Sequence, residues 1–167
     1  MNLSNQVFYY AKGNPLALKV LGCFLQGRSK QEWKSLLNKL KRCPNSDIQN
    51  VLRISYDGLD DEEKEIFLDI ACFFKGEDRD HVTAILDGYG LSTKIGISVL
   101  IDKCLITVTD NKIMMHDLIQ EMGRSIVLQE SIKVPGKRSR LWDPQDICNL
   151  LMRSEERRVG KECRSRW

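Results

Sequence analysis

Leu105-Ile-Thr-Val-Thr-Asp-Asn-Lys-Ile-Met-Met-His-Asp-Leu118 decides the fold. Leu105 to Thr109 is β-branched, Asp110-Asn111 is turn chemistry, and Lys112 to Met115 pairs back as a second short strand. An amphipathic helix follows from Leu118 to about Gln129, with Ile119, Met122 and Ile126 facing inward. Asp117 precedes Gln120 by three residues, the spacing of a capping box with Asp117 as the cap. His116, one of only two histidines, stands at this junction, and Met115 leads into it. A helix N-terminus presents backbone N–H groups and a partial positive charge, which favour anions such as phosphate. A neutral histidine there adds one donor. From these residues alone, plain capping and a phosphate-sensing site both stay open, and capping needs no ligand.

Working outward, most of the chain has helical periodicity. Leu3, Val7, Tyr10 and Ala11 share a face that Gly13 can close, and Asn14-Pro15 restarts the chain as cap and first helical residue. Leu16, Val20, Cys23 and Phe24 continue that second helix. A third runs from about Lys30 to Leu40 on Trp33, Leu36, Leu37 and Leu40, and Pro44 marks its break. A fourth covers about Asp47 to Tyr56, on Ile48, Val51, Leu52 and Ser55. The fifth is the clearest: Asp60 and Glu63 form a capping box, and Ile66, Phe67, Ile70, Ala71 and Phe74 form its buried stripe. Shorter helices near 79–87 and 93–103 precede the hairpin, and Asp143-Pro144 opens a last helix through Leu151. Three helices, a hairpin and another helix resemble a winged-helix arrangement. The expected fold is therefore mainly α: a helical subdomain over residues 1–76, then a winged-helix subdomain with one small β-hairpin and a linker helix over 77–152.

Composition narrows the function classes. The 167 residues are 42% hydrophobic and 29% charged, as expected of a soluble globular chain. No apolar run approaches the roughly 20 residues of a membrane span, and the N-terminus lacks the basic and apolar regions of a secretion signal. Of 26 basic and 23 acidic residues, six and three lie in residues 153–167, which leaves 20 of each elsewhere. The folded part thus offers no bulk electrostatic attraction for nucleic acid. The six cysteines show no Cys-x-x-Cys spacing and read as reduced intracellular thiols, and no histidine sits at zinc-ligand spacing from a cysteine.

Five motifs then occur in one order: Gly13-Asn-Pro-Leu-Ala-Leu18, Ser55-Tyr-Asp-Gly-Leu59, Phe67-Leu-Asp-Ile-Ala-Cys-Phe-Phe74, Met115-His-Asp117 and Arg140-Leu-Trp142. Each is weak alone, and together they are specific. Over about residues 1–152 the series resembles the C-terminal half of the NB-ARC module of plant nucleotide-binding leucine-rich-repeat immune receptors, in the subclass with an N-terminal TIR domain. What the resemblance implies is a switch in which a P-loop domain holds ADP at rest, the helical subdomain packs on the adenine and the winged-helix subdomain closes over the phosphates. By the same resemblance, ADP or ATP is bound only with the P-loop half. Pro15 matches the family proline that lies against the adenine, with Asn14 where leucine is also common. His116 matches the histidine that contacts the β-phosphate of ADP, and Met115 and Asp117 complete that switch motif. The implied partners are the P-loop, TIR and leucine-rich-repeat domains of a full-length receptor, in the cytoplasm or shared between nucleus and cytoplasm.

Several family parts are missing from this sequence. No Gly-x-x-x-x-Gly-Lys-Ser/Thr occurs and no hydrophobic strand ends in paired aspartates, so no phosphate cradle and no magnesium site are expected, nor ATP hydrolysis by this chain alone. The chain reads as beginning inside the first helix of the helical subdomain. Residues 153–167 depart from the family pattern and read as disordered or as translated adapter sequence. A winged-helix DNA-binding module is the alternative, with Lys94 and Lys103 as its cations, and a generic helical interaction module is a third reading.

Overall fold

Helix starts are written locally in this chain, and the computed structural model, which describes residues 3–11, 13–41 and 48–152, shows them made. Helix α1 spans Leu3–Tyr10, α2 Pro15–Leu25, α3 Lys30–Lys41, α4 Ile48–Asp57 and α5 Asp61–Asp69. Asn14 Oδ1 accepts from the N–H groups of Leu16 and Ala17 at 2.9 and 3.1 Å, so Asn14-Pro15 starts α2 as expected. Gly13 takes φ +69°, the left-handed geometry that ends α1. Asp60 and Glu63 make the reciprocal capping box of α5. A second such box, Ser29 with Glu32, starts α3: Ser29 N–H donates to Glu32 Oε2 and Glu32 N–H to Ser29 Oγ. Its spacing was legible in the sequence. The Ser29 backbone N–H foremost, then the Ser29 side chain, hold the Glu32 carboxyl below the usual carboxylate range.

Helices α1 to α4 close on Val7, Ala11, Ala17, Leu21, Leu25, Leu36, Leu37, Val51 and Ile54, with Leu18, Phe24 and Trp33 packed against this core. Trp33 also donates its indole N–H to Leu25 O at 3.2 Å, which satisfies its one polar atom. The expected roles of Leu3, Tyr10, Leu40, Pro44, Asp47, Ile48 and the 153–167 tail lie outside the described side chains and residues.

Beyond α5 the helix does not end but widens. Ile70–Phe74 is a π-turn, in which hydrogen bonds reach five residues back. The amide of Gly76 would continue that pattern to Ala71, yet it donates to Ile113 O at 2.7 Å instead. Helices α6 (Arg79–Asp87) and α7 (Thr93–Asp102) follow, then strands β1 (Thr107–Thr109) and β2 (Lys112–Met114) and helix α8 (Asp117–Glu130). The strands pair antiparallel, with Val108 opposite the fully buried Ile113. Asp110 and Asn111 sit at φ 51° and 60°, as a two-residue type I′ turn requires.

The hairpin has a third neighbour that periodicity did not show. Ile113 N–H donates to Glu77 O and Arg79 N–H to Asn111 O, so residues 76–79 pair along the free edge of β2. Asp78 anchors this edge. Its carboxylate caps α6 through the amides of Asp80 and His81, and accepts from Asn111 Nδ2 at 2.8 Å. The His81 amide bond, then the Asn111 bond, keep the Asp78 carboxyl below its ordinary value. Helix α5, expected to close the first subdomain at residue 76, packs on α7, where Ile66 fills the space over Gly96, and on α8, where Phe67 and Ala71 meet Gly123.

Contacts group residues 1–123 in one unit and 124–167 in another. Within the second, a 3₁₀ turn spans Pro135–Lys137 and helix α9 covers 144–152. Asp143 Oδ1 accepts from Gln145 and Asp146 N–H, the cap expected of Asp143-Pro144. Arg138, 5% exposed in its side chain, pairs with Asp146 at 2.5 Å and donates to Ser131 O. Arg140 is buried, and the Arg124 guanidinium lies 6.0 Å from the Trp142 ring centroid.

The cysteines require a correction. Instead of two free thiols, Cys23 of α2 and Cys104, just after α7, are joined across 81 residues with a Cα–Cα distance of 6.4 Å. Spacing could not show this, because only tertiary packing brings α2 to that turn. Among the described residues, Cys72 (buried) and Cys148 (exposed) form no disulfide. Non-reducing peptide mapping of air-equilibrated protein is expected to recover residues 23 and 104 in one linked pair. Recovery of both only as free thiols would overturn the pairing.

Candidate anion-binding corner at the start of α8

Strand β2 delivers the chain to the corner with alternating burial: Ile113 is inside, Met114 outside, and Met115 inside at 5% exposure. Met115 is thus an anchor that fixes where the next residue emerges. His116 and Asp117 are both exposed. The helix cap lies one residue earlier than the sequence spacing implied. His116 O accepts from the amides of Ile119 and Gln120 at 2.9 and 3.0 Å, and His116 Nδ1 accepts from Leu118 N–H at 3.2 Å. His116 is therefore the cap, and Asp117 is already the first helical residue.

That bond also decides the tautomer. A ring nitrogen that accepts from an amide carries no proton, so the hydrogen of the neutral imidazole sits on Nε2. His116 thus couples an outward donor to a helix start whose own dipole favours negative charge.

The expected Asp117–Gln120 capping box does not form, because both side chains are engaged by the end of the π-turn. The Lys75 ammonium bonds the Asp117 carboxylate and also donates to Gln120 Oε1 at 3.1 Å. Gln120 Nε2 donates in turn to Ala71 O at 3.1 Å, the carbonyl past which the Gly76 amide was diverted. The Lys75 hydrogen bond, then its charge, hold the Asp117 carboxyl below the usual carboxylate range. A carboxyl lowered on folding adds stability above its unfolded value and loses it as pH falls through the folded one. Asp117 is open to solvent, so this contribution is heavily screened.

Met115, His116 and Asp117 are thus brought together as a unit. Pro15 stands exposed at the first position of α2, and no ring or polar contact among the described residues ties it to this corner. Sequence reasoning missed Lys75 and Gln120 as partners. A lysine closing an apolar run carries no mark of a contact 42 residues away. Among the described residues, no group of His, Cys, Asp and Glu could hold a metal ion, and no helix is long and apolar enough to cross a membrane.

Residues 60–131 match the family described as Disease resistance protein Roq1-like, winged-helix domain. This span begins at the α5 cap and ends just past α8. The chain is 57% identical over 150 residues to Disease resistance protein RUN1 of Vitis rotundifolia, covering 90% of this chain and 11% of that protein. It is 52% identical over 154 residues to Disease resistance protein RPV1 of the same species, covering 92% of this chain and 11% of the relative. It is also 44% identical over 160 residues to Disease resistance protein RRS1 of Arabidopsis thaliana, covering 95% and 12%. Residues 60–131 of this chain carry the winged-helix domain of Roq1-like disease resistance proteins. The chain spans about a tenth of the length of these curated relatives. Its winged-helix domain is mainly helical with, among the described residues, one two-stranded antiparallel sheet, as the order of helices and hairpin implies.

Proposed function

We propose that this chain is the regulatory, ADP-sensing part of a nucleotide-dependent immune switch. The observation that carries the reading is the Leu118 N–H bond to His116 Nδ1. With Nδ1 committed to the Leu118 amide, the ring keeps a neutral Nε2–H donor beside a helix N-terminus, a donor set suited to a phosphate oxygen. A bound nucleoside diphosphate would supply the negative charge that this donor set accepts. In the same reading Pro15 lies against the adenine, and Met115 holds the corner in place.

The chain's own residues bind and orient, and none is assigned a catalytic role. The P-loop half, the TIR domain and the leucine-rich repeats of a full receptor are the proposed partners, ADP or ATP the proposed ligand, and the cytoplasm the proposed location. Lys103, one of the two cations a DNA-binding reading would use, donates its ammonium to Gly58 O at 3.3 Å, which favours the switch reading over that alternative.

A graft tests it. Residues 1–152 are placed in the RUN1 relative of Vitis rotundifolia at the matching segment, and ADP affinity is measured by calorimetry. The graft is expected to bind ADP, and His116→Ala to weaken binding by about 2 kcal/mol, roughly thirtyfold, the scale of a hydrogen bond to a charged group. Equal affinity in graft and variant would overturn the sensing role.

A further inference from the structure

We propose that Lys75 is a positioning residue for this corner: it neutralises Asp117 and pins the first turn of α8, so that His116 faces a bound anion as a donor. This rests on the ADP-sensing reading above. The need for it is electrostatic. Asp117 is one residue from His116, and a bare carboxylate there would repel the phosphate that the helix N-terminus attracts. The Lys75 ammonium sits on that carboxylate and removes the repulsion.

The same ammonium also acts mechanically. Lys75 reaches Gln120 Oε1, and Gln120 Nε2 reaches Ala71 O, so the first turn of α8 is tied at two points to the π-turn and the residue that follows it. The Lys75 side chain is only 24% exposed, against 90% for Asp117, so the cation is the anchored partner and the carboxylate the one it holds. The π-turn is what makes this reach possible. It ends at Phe74, and the Gly76 amide then turns away to β2, leaving Lys75 at the point where the chain departs from the helix. Gly76 at φ +88° permits that departure. The tie therefore connects α5, the β2 edge and α8 at the residue next to His116.

The test uses two readouts. Imidazole ¹⁵N spectra of this chain report the His116 tautomer, and calorimetry of the graft reports ADP affinity. Lys75→Met is expected to loosen the Leu118 N–H···Nδ1 bond, shift His116 from the Nε2–H form toward a tautomer mixture, and weaken ADP about tenfold, the scale of one charge-assisted contact. Lys75→Arg, which keeps the charge, is expected to retain the wild-type tautomer. Adding Asp117→Asn to Lys75→Met is expected to recover most of the affinity, because no carboxylate is left to neutralise. A merely structural loss would not be rescued in this way. Wild-type tautomer and affinity in Lys75→Met, while His116→Ala still weakens ADP, would overturn the proposal alone. Wild-type affinity in His116→Ala would overturn the sensing reading itself.

Discussion

Phe67→Ala is expected to lower the unfolding free energy by about 3–5 kcal/mol, a large fraction of the roughly 5–15 kcal/mol that holds a domain together. Phe67 is fully buried, its ring 5.3 Å from that of Tyr56 at 54°, a tilted pair that adds to area burial. On its other side, ring atoms lie 3.2 and 3.5 Å from where a Cβ would stand at Gly123. Truncation therefore removes the packing partner of both α4 and α8, and rigid helices cannot collapse into the space. Urea unfolding followed by circular dichroism measures the loss. A drop under about 1 kcal/mol would mean that α5 is not the hub of this unit.

Gly123→Leu tests the same contact from the opposite direction. A Cβ at residue 123 would stand 2.7 Å from Ala71 Cβ, on a helix backbone rather than at the end of a flexible chain. Neither helix can retreat without disturbing the Gln120–Ala71 bond one turn away. Destabilisation of about 3 kcal/mol is expected, the upper part of the overpacking range. Gly22→Ala is the control. Gly22 also lies within a helix, but nothing stands within 4 Å of its Cβ position, so the helix-propensity gain of up to about 1 kcal/mol should appear without a penalty. Equal stability of Gly123→Leu and wild type would refute the close approach of α5 and α8.

Much of the fold was legible because its signals are local. Asn14-Pro15, Asp60 with Glu63, and Asp143-Pro144 each start a helix within four residues of sequence, and all three caps form. Asp110-Asn111 set the hairpin in the same way. The cap at α8 was misplaced by one residue for an equally specific reason. Asp117 has the right chemistry and spacing, but Lys75 holds its carboxylate, and the histidine before it can accept from an amide as an aspartate does. The π-turn, the third pairing segment at 76–79 and the Cys23–Cys104 pair all depend on partners far along the chain. No window of periodicity contains them.

The helices, the hairpin, the motif order and the grouping of Met115, His116 and Asp117 at the corner were legible in the order of residues. These follow from capping chemistry, turn geometry and apolar periodicity, which act over a few residues. What each of the three does was set by long-range packing. It buried Met115 as an anchor, made His116 the cap with Nδ1 on the Leu118 amide, and gave Asp117 to Lys75. A polar side chain takes whichever partner packing brings within about 3 Å, and that partner is set by how helices close on Phe67 and Gly123 rather than by its neighbours in the chain.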